Sequence, residues 1–266
     1  MRVIVTRVQP QAQVWASSLS ALGHPAIALP LIEVAPLADK RRVIEAWEHW
    51  EDYNAVMFVS AAAVTYFFKE KPPATLVEQA RAAINTRVWV TGPGSRAAVL
   101  AQGIDPALID APAHHENQFD SEALWRRVAT SVSAGTRVLI VRGSDSSDEV
   151  STSSQGLGRD WLAQQVQKHG GLVDFVVAYQ RQAPVWSEQQ LALAQTASSD
   201  GSVWLFSSSE AVQHLQNLLQ QQDWSRASAI ATHPRIAQAA QALGFIQVKV
   251  ASATIPAVLA SIESLA

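Results

Sequence analysis

Residues 203–212 read VWLFSSSEAV and residues 55–64 read AVMFVSAAAV. Each is an apolar run of strand length, then serine, then an alanine-containing helical start. Placing Val64 on Val212 sets Phe58 on Phe206 and Ser60 on Ser208. Two further pairs keep company with the first. Val90-Thr91-Gly92-Pro93-Gly94-Ser95, running on to Gly103, matches Ala231-Thr232-His233-Pro234-Arg235-Ile236, running on to Gly244. Arg2 to Arg7 (RVIVTR) matches Arg137 to Arg142 (RVLIVR). The same order therefore occurs twice: a strand ending in arginine, a strand ending in serine, a strand ending in threonine before proline. A chain with this self-similarity reads as two copies of one domain.

Strand-like runs at 3–6, 56–59, 88–91, 138–141, 173–179, 203–206, 229–232 and 248–250 alternate with segments of helical period. That alternation predicts parallel sheets covered by helices on both faces. Helix starts are marked by Ser207-Ser208-Ser209-Glu210, read as a capping box led by Ser207, by Asp120 or Ser121, and by Thr254. Gly103, Gly170 or Gly171, and Gly244 stand where helices should end.

The chain has 266 residues, 48% of them hydrophobic and 16% charged, enough for two ordinary cores. It has no cysteine, so disulfides and thiolate metal sites are excluded. The N-terminal MRVIVTRVQPQAQVW carries too short an apolar run for a secretory core or a membrane span, so a cytoplasmic protein with no membrane partner is expected. A formal charge of −3 argues against broad nucleic-acid binding, which needs a strong basic field. An acidic ligand would need local donors. The seven histidines form no HxxxH pair, and no metal is expected; His114-His115 falls in a polar loop.

All three repeated phrases stop at the carboxyl end of a strand, where the next helix begins. Ligands of open α/β sheets collect there, because loops converge and helix N-termini offer unpaired amides. For any single motif, ordinary helix punctuation is the better account; three matched pairs favour a ligand cleft between two lobes.

An ordered set of motifs carries a resemblance: Arg2 to Arg7, PLIEVAP (30–36), FVSAAAV (58–64), VTGPGSRAA (90–98), DSEAL (120–124), RVLIVRG (137–143), AYQRQAP (178–184), FSSSEAV (206–212) and THPRIAQAA (232–240). Together they resemble uroporphyrinogen-III synthase over nearly the whole chain. The resemblance implies two flavodoxin-like parallel-sheet α/β domains joined by a two-stranded antiparallel connector, with strands near 30–36 and 178–184. Residues 1–34 and 181–266 would form the first domain and residues 35–180 the second. It also implies a cofactor-independent, monomeric lyase. Its small-molecule substrate would be the linear tetrapyrrole hydroxymethylbilane, an octacarboxylate, closed to uroporphyrinogen III with inversion of ring D and loss of water. Hydroxymethylbilane synthase would be a transient partner.

On that reading Tyr179 is the catalytic candidate, a phenol that donates to the leaving hydroxyl or orients it; packing as a strand tyrosine is the alternative. Arg7, Arg142 and Arg235 are candidate carboxylate ligands. Ser60, Gly94, Ser95, Gly143, Ser207, Ser208, Thr232, His233 and Pro234 complete the candidate binding set through side chains and helix-start amides. The stretch from Ser144 to Gly158 reads as a polar surface segment or a lid, and the nine tryptophans as core. Two other classes compete: a bilobal receptor for an acidic small molecule, without chemistry, and a nucleotide-sugar transferase. The first is usually exported, and the second lacks its GxGxxG fingerprint after 3–6 and 138–141.

Overall fold

A computed structural model describes residues 1–72, 86–112, 121–145 and 157–265. In chain order its regular elements are β1 (Val3–Val5), α1 (Gln11–Ala21), β2 (Ala26–Ala28), β3 (Glu33–Pro36), α2 (Arg41–Glu48), β4 (Ala55–Phe58), α3 (Ala61–Lys69), β5 (Arg87–Val90), α4 (Pro93–Ala101), β6 (Ile109–Asp110) and α5 (Ser121–Val128). They continue with β7 (Arg137–Asp145), α6 (Leu157–Lys168), β8 (Leu172–Gln182), α7 (Glu188–Ala197), β9 (Val203–Phe206), α8 (Ser209–Leu218), β10 (Ser228–Ala231), α9 (Pro234–Leu243), β11 (Gln247–Val250) and α10 (Ile255–Glu263).

The chain forms two units, Met1–Glu33 with Gln182–Ala266, and Val34–Arg181. In the first, the strands run β11-β10-β9-β1-β2, all parallel. This is the flavodoxin-like arrangement, the chain moving to one side of β1 for β2 and to the other for β9 onward. Alternate residues serve opposite faces. Ile4, Trp204 and Phe206 pack with α7, α8 and α9, while Val3, Val5 and Leu205 pack with α1 and α10. Trp204, Trp224, Phe206 and Phe245 form one aromatic group, with Trp204 Nε1 donating to the Ala197 carbonyl at 3.0 Å.

The second unit has the order β3-β8-β7-β4-β5-β6. From β4 to β8 the pairings are parallel. If β7 and β8 are matched with β1 and β2, its five parallel strands repeat the first unit's order. Phe58, Val90, Leu139 and Val141 face α2, α3 and α4; Met57, Trp89, Val138 and Ile140 face α5 and α6. The duplicated stretches and the structural units thus divide the chain at different places. Each unit takes its arginine-ending strand from one copy and its serine- and threonine-ending strands from the other. The chain passes between units within β3 and again within β8, which are sheet neighbours.

All eight expected strands are present, within two residues at their starts; the 138–141 and 173–179 runs extend further at their C-terminal ends. The strands not anticipated as sheet members, β2 and β6, have three and two residues, too few to show a period. Two expectations are corrected. The cap of α8 is Ser208 in extended conformation, without a side-chain bond, so Ser207 leads no capping box. A capping box is formed instead by Ser187 with Gln190, at the start of α7. The polar segment expected from Ser144 to Gly158 is shorter than that: Ser144 and Asp145 pair with Gln180 and Arg181 in the sheet, and Leu157 and Gly158 belong to α6. Residues 146–156, like His114-His115 and Asp120, lie outside the described residues.

Candidate functional site

In each unit the chain reverses its sheet direction between two neighbouring strands, β1 and β9 in the first, β7 and β4 in the second. Loops diverge at such a switch point, leaving room beyond the strand ends. Arg7 and Ser207-Ser208 follow β1 and β9. Ser60 follows β4, and Arg142-Gly143 stand at the same level of β7.

In the second unit Ser60 caps α3 in extended conformation, its Oγ accepting from the Ala63 amide at 3.1 Å. The same oxygen lies 3.1 Å from the hydroxyl of Tyr179. Tyr179 is carried by β8, 119 residues further along the chain. A bulge between Arg142 and Gly143 shifts the β7–β8 register, so Arg142 pairs with Val177 and Gly143 with Tyr179. The extra residue places both Ala178 and Tyr179 in the core that also holds Val64. The Tyr179 ring crosses directly over Gly143: a Cβ there would overlap its Cε2 and Cζ and stand 2.9 Å from its oxygen. Tyr66 supports it, with ring centroids 5.9 Å apart, and donates to the Val34 carbonyl at 2.9 Å. Arg142 is not part of this group. It stacks on Phe175, 4.9 Å from the ring centroid, on the face that Ile140 and Val138 present to α5 and α6.

The start of α4 offers backbone. Gly92 is its cap and Pro93 its first residue, so the amides of Gly94 and Ser95 fall in the first turn, where no intrahelical acceptor exists. Gly94 is exposed and a Cβ on it would touch nothing, while Ser95 is buried.

The first unit is built in parallel. Arg7 lies 4.6 Å over the ring of Trp15 on α1 and donates through Nε to Gln11 at 3.2 Å. Its Nη1 is buried without a partner, and burial pushes the guanidinium below its ordinary value. Arginine remains cationic even so, and a half-buried cation with a spare donor is a good seat for a carboxylate. At α8 the cap Ser208 makes no side-chain bond, and Ser209 Oγ is buried without a partner. At α9 the cap is His233, whose Nδ1 accepts from the Arg235 amide at 3.2 Å. The imidazole proton is then on Nε2, directed away from the helix. Pro234 opens the helix, Arg235 is exposed, and the Thr232 amide is held by the Phe206 carbonyl at 3.0 Å.

Sequence reasoning did not foresee the Ser60–Tyr179 contact or the aromatic platforms under Arg7 and Arg142. It also missed His214, buried and joined through Nδ1 to the Leu31 carbonyl at 2.7 Å, just before the chain leaves the first unit. Among the described residues no cluster of histidine, aspartate or glutamate is arranged to hold a metal, and no helix is long and apolar enough to cross a membrane.

Residues 13–260 match the family model described as uroporphyrinogen-III synthase HemD. Among solved structures, the chain resembles uroporphyrinogen-III synthetase from Helicobacter pylori, with TM-score 0.56 and 15% identity over 100% of both chains. It also resembles a mutant uroporphyrinogen III synthase from Thermus thermophilus, with TM-score 0.52 and 11% identity over 100% of this chain and 98% of that one. At these identities the two structures speak for the fold.

Proposed function

The chain belongs to the uroporphyrinogen-III synthase family and cyclises hydroxymethylbilane in tetrapyrrole synthesis, and from that premise we propose that it does so as a lyase in which Tyr179 meets the departing hydroxyl. Loss of that hydroxyl as water leaves an azafulvene cation, stabilised by its own pyrrole nitrogen. The substituted carbon of ring D then attacks, and ring inversion passes through a spiro intermediate. Because ionisation is intrinsically easy, the protein's contribution is chiefly to fold the substrate.

The observation that carries this reading is the family match, which spans both units without a break. The candidate residues supply what the chemistry asks for. Tyr179 is a phenol that donates a proton to the leaving oxygen or orients it. Arg7, Arg142 and Arg235, His233 Nε2, the hydroxyls of Ser207, Ser208 and Thr232, and the amides at Gly94, Ser95 and Gly143 are donors for the carboxylates, with Pro234 fixing the α9 turn and the Ser60 hydroxyl engaged with Tyr179. Metal and organic cofactors have no part in this scheme. The enzyme acts as a cytoplasmic monomer and receives its labile substrate in transient contact with hydroxymethylbilane synthase.

Kinetics of two variants test the division of labour. Tyr179→Phe is expected to lose kcat by about 10²–10⁴-fold, the usual contribution of a general acid, with KM and isomer ratio kept. Arg7→Ala is expected to raise KM and the share of type I product, because a loosely held chain closes before ring D inverts. Wild-type behaviour of Tyr179→Phe in rate, KM and isomer ratio would make the tyrosine structural.

A further inference from the structure

We propose that Ser60 and Gly143 are positioning residues for Tyr179: Ser60 fixes the direction of the phenolic proton, and Gly143 provides the space in which the ring reaches Ser60. The proposal rests on the reading of Tyr179 as the group that meets the leaving hydroxyl.

A serine hydroxyl has one proton and two lone pairs. One lone pair of Ser60 takes the Ala63 amide, which ties the oxygen to the first turn of α3. Between Ser60 and Tyr179, 3.1 Å apart, one hydroxyl must donate to the other. If the phenol donated, its proton would be spent inside the protein and none would face a substrate. If Ser60 donates, the phenolic oxygen accepts, its own proton points elsewhere, and the hydrogen bond received makes the phenol a better donor. Only this second direction is compatible with an acid at Tyr179.

The ring reaches this position because the bulge sets Tyr179 opposite residue 143 and because that residue is glycine. Any β-carbon at 143 would collide with the ring at Cε2 and Cζ, and a tyrosine ring in a packed core has little freedom to give way. The three residues come from three elements, β4–α3, β7 and β8, and form one device.

The test is a double-mutant series assayed on hydroxymethylbilane. Ser60→Ala is expected to lower kcat about 3–10-fold, the usual size of one neutral hydrogen bond, with KM unchanged. Ser60→Thr, which keeps both hydroxyl and cap, restores the rate. In a Tyr179→Phe background, Ser60→Ala has no further effect. Gly143→Ala loses as much rate as Tyr179→Phe. A second readout is independent of turnover. The chain has three tyrosines, so the ultraviolet resonance Raman doublet of Tyr179 is assignable by difference against Tyr179→Phe. It is expected to change from an accepting to a non-accepting phenol in Ser60→Ala, and it decides the matter for any variant too unstable to assay. Equal slowing by Ser60→Ala with and without the phenol, or an unchanged doublet, overturns the positioning role while leaving Tyr179 catalytic. A Tyr179→Phe enzyme at wild-type rate overturns the reading beneath it.

Discussion

His233 shows how much a single side chain can hold in two directions. Its Nδ1 caps α9 while Nε2–H faces outward. Replacing a capping acceptor by alanine costs about 0.5–2 kcal/mol, so His233→Ala should be measurably less stable in urea unfolding, whereas His233→Asn, which keeps an acceptor, should not. If Nε2 also holds a substrate carboxylate, KM rises in both variants. Arg7 and Arg142 illustrate the limit of matching by position. They occupy equivalent places in RVIVTR and RVLIVR, and both lie over aromatic rings, but Arg7 keeps a buried donor unpartnered and sits beside α1, while Arg142 rests on Phe175 across the sheet from Tyr179. Their residue types were plain from the repeat. Their surroundings were not, because Trp15 lies on a helix and Phe175 on a neighbouring strand, and only the fold decides which ring lies beneath which cation.

At the scale of elements, the sequence spoke clearly wherever a segment was long enough to show a period or carried a strong terminator. Gly244 ends α9 at φ +114°, where an L side chain is strained, and Gly244→Ala should cost about 1–2 kcal/mol or more in thermal or urea unfolding. Gly94 is the opposite case. It stands in the first turn of a helix with open space at its Cβ, so Gly94→Ala should stabilise by about 0.4–1 kcal/mol. The same methyl should raise KM if a carboxylate approaches that amide closely, a combination no purely structural glycine would give. The entry to α2 has a pH signature. Asp39 accepts from the Arg41 guanidinium and amide, which together hold its carboxyl at about 2, below the ordinary value of 3.8. A depressed pKa contributes stability that is fully present above the unfolded value and is lost as pH falls through the folded one. An NMR titration should therefore find Asp39 still ionised at pH 3, and Arg41→Ala should return it toward the ordinary carboxylate range. What the sequence hid at this scale were the two- and three-residue strands β2 and β6, too short to show alternation, and the bulge at Arg142/Gly143. A bulge is a relation between two strands and has no local signature; here it decides that Tyr179, rather than Ala178, stands beside glycine.

Across the whole molecule, the duplicated sequence and the two structural units are different divisions of one chain. Tandem copies would each fold locally, yet β1 lies between β2 and β9, and β7 between β8 and β4, so each sheet joins distant segments. The repeat could be read by eye, but the exchange of strands between copies could be expected only through family resemblance, since nothing in composition or period favours a near partner over a far one. Val3, Ile4 and Val5 are fully buried in the first unit. Removing residues 1–34 takes out that strand, α1 and β2 together, and the remaining Gln182–Ala266 segment should lose its cooperative melting transition; an unchanged transition would mean that the segment is self-sufficient. The central claim is that this molecule closes hydroxymethylbilane with ring D inverted. It is tested most directly by giving the purified, chelator-treated protein fresh hydroxymethylbilane and separating the isomers formed, with the uncatalysed blank subtracted. The predicted result is type III product, formed faster than the blank. Type I product alone, at the rate of the blank, would contradict it.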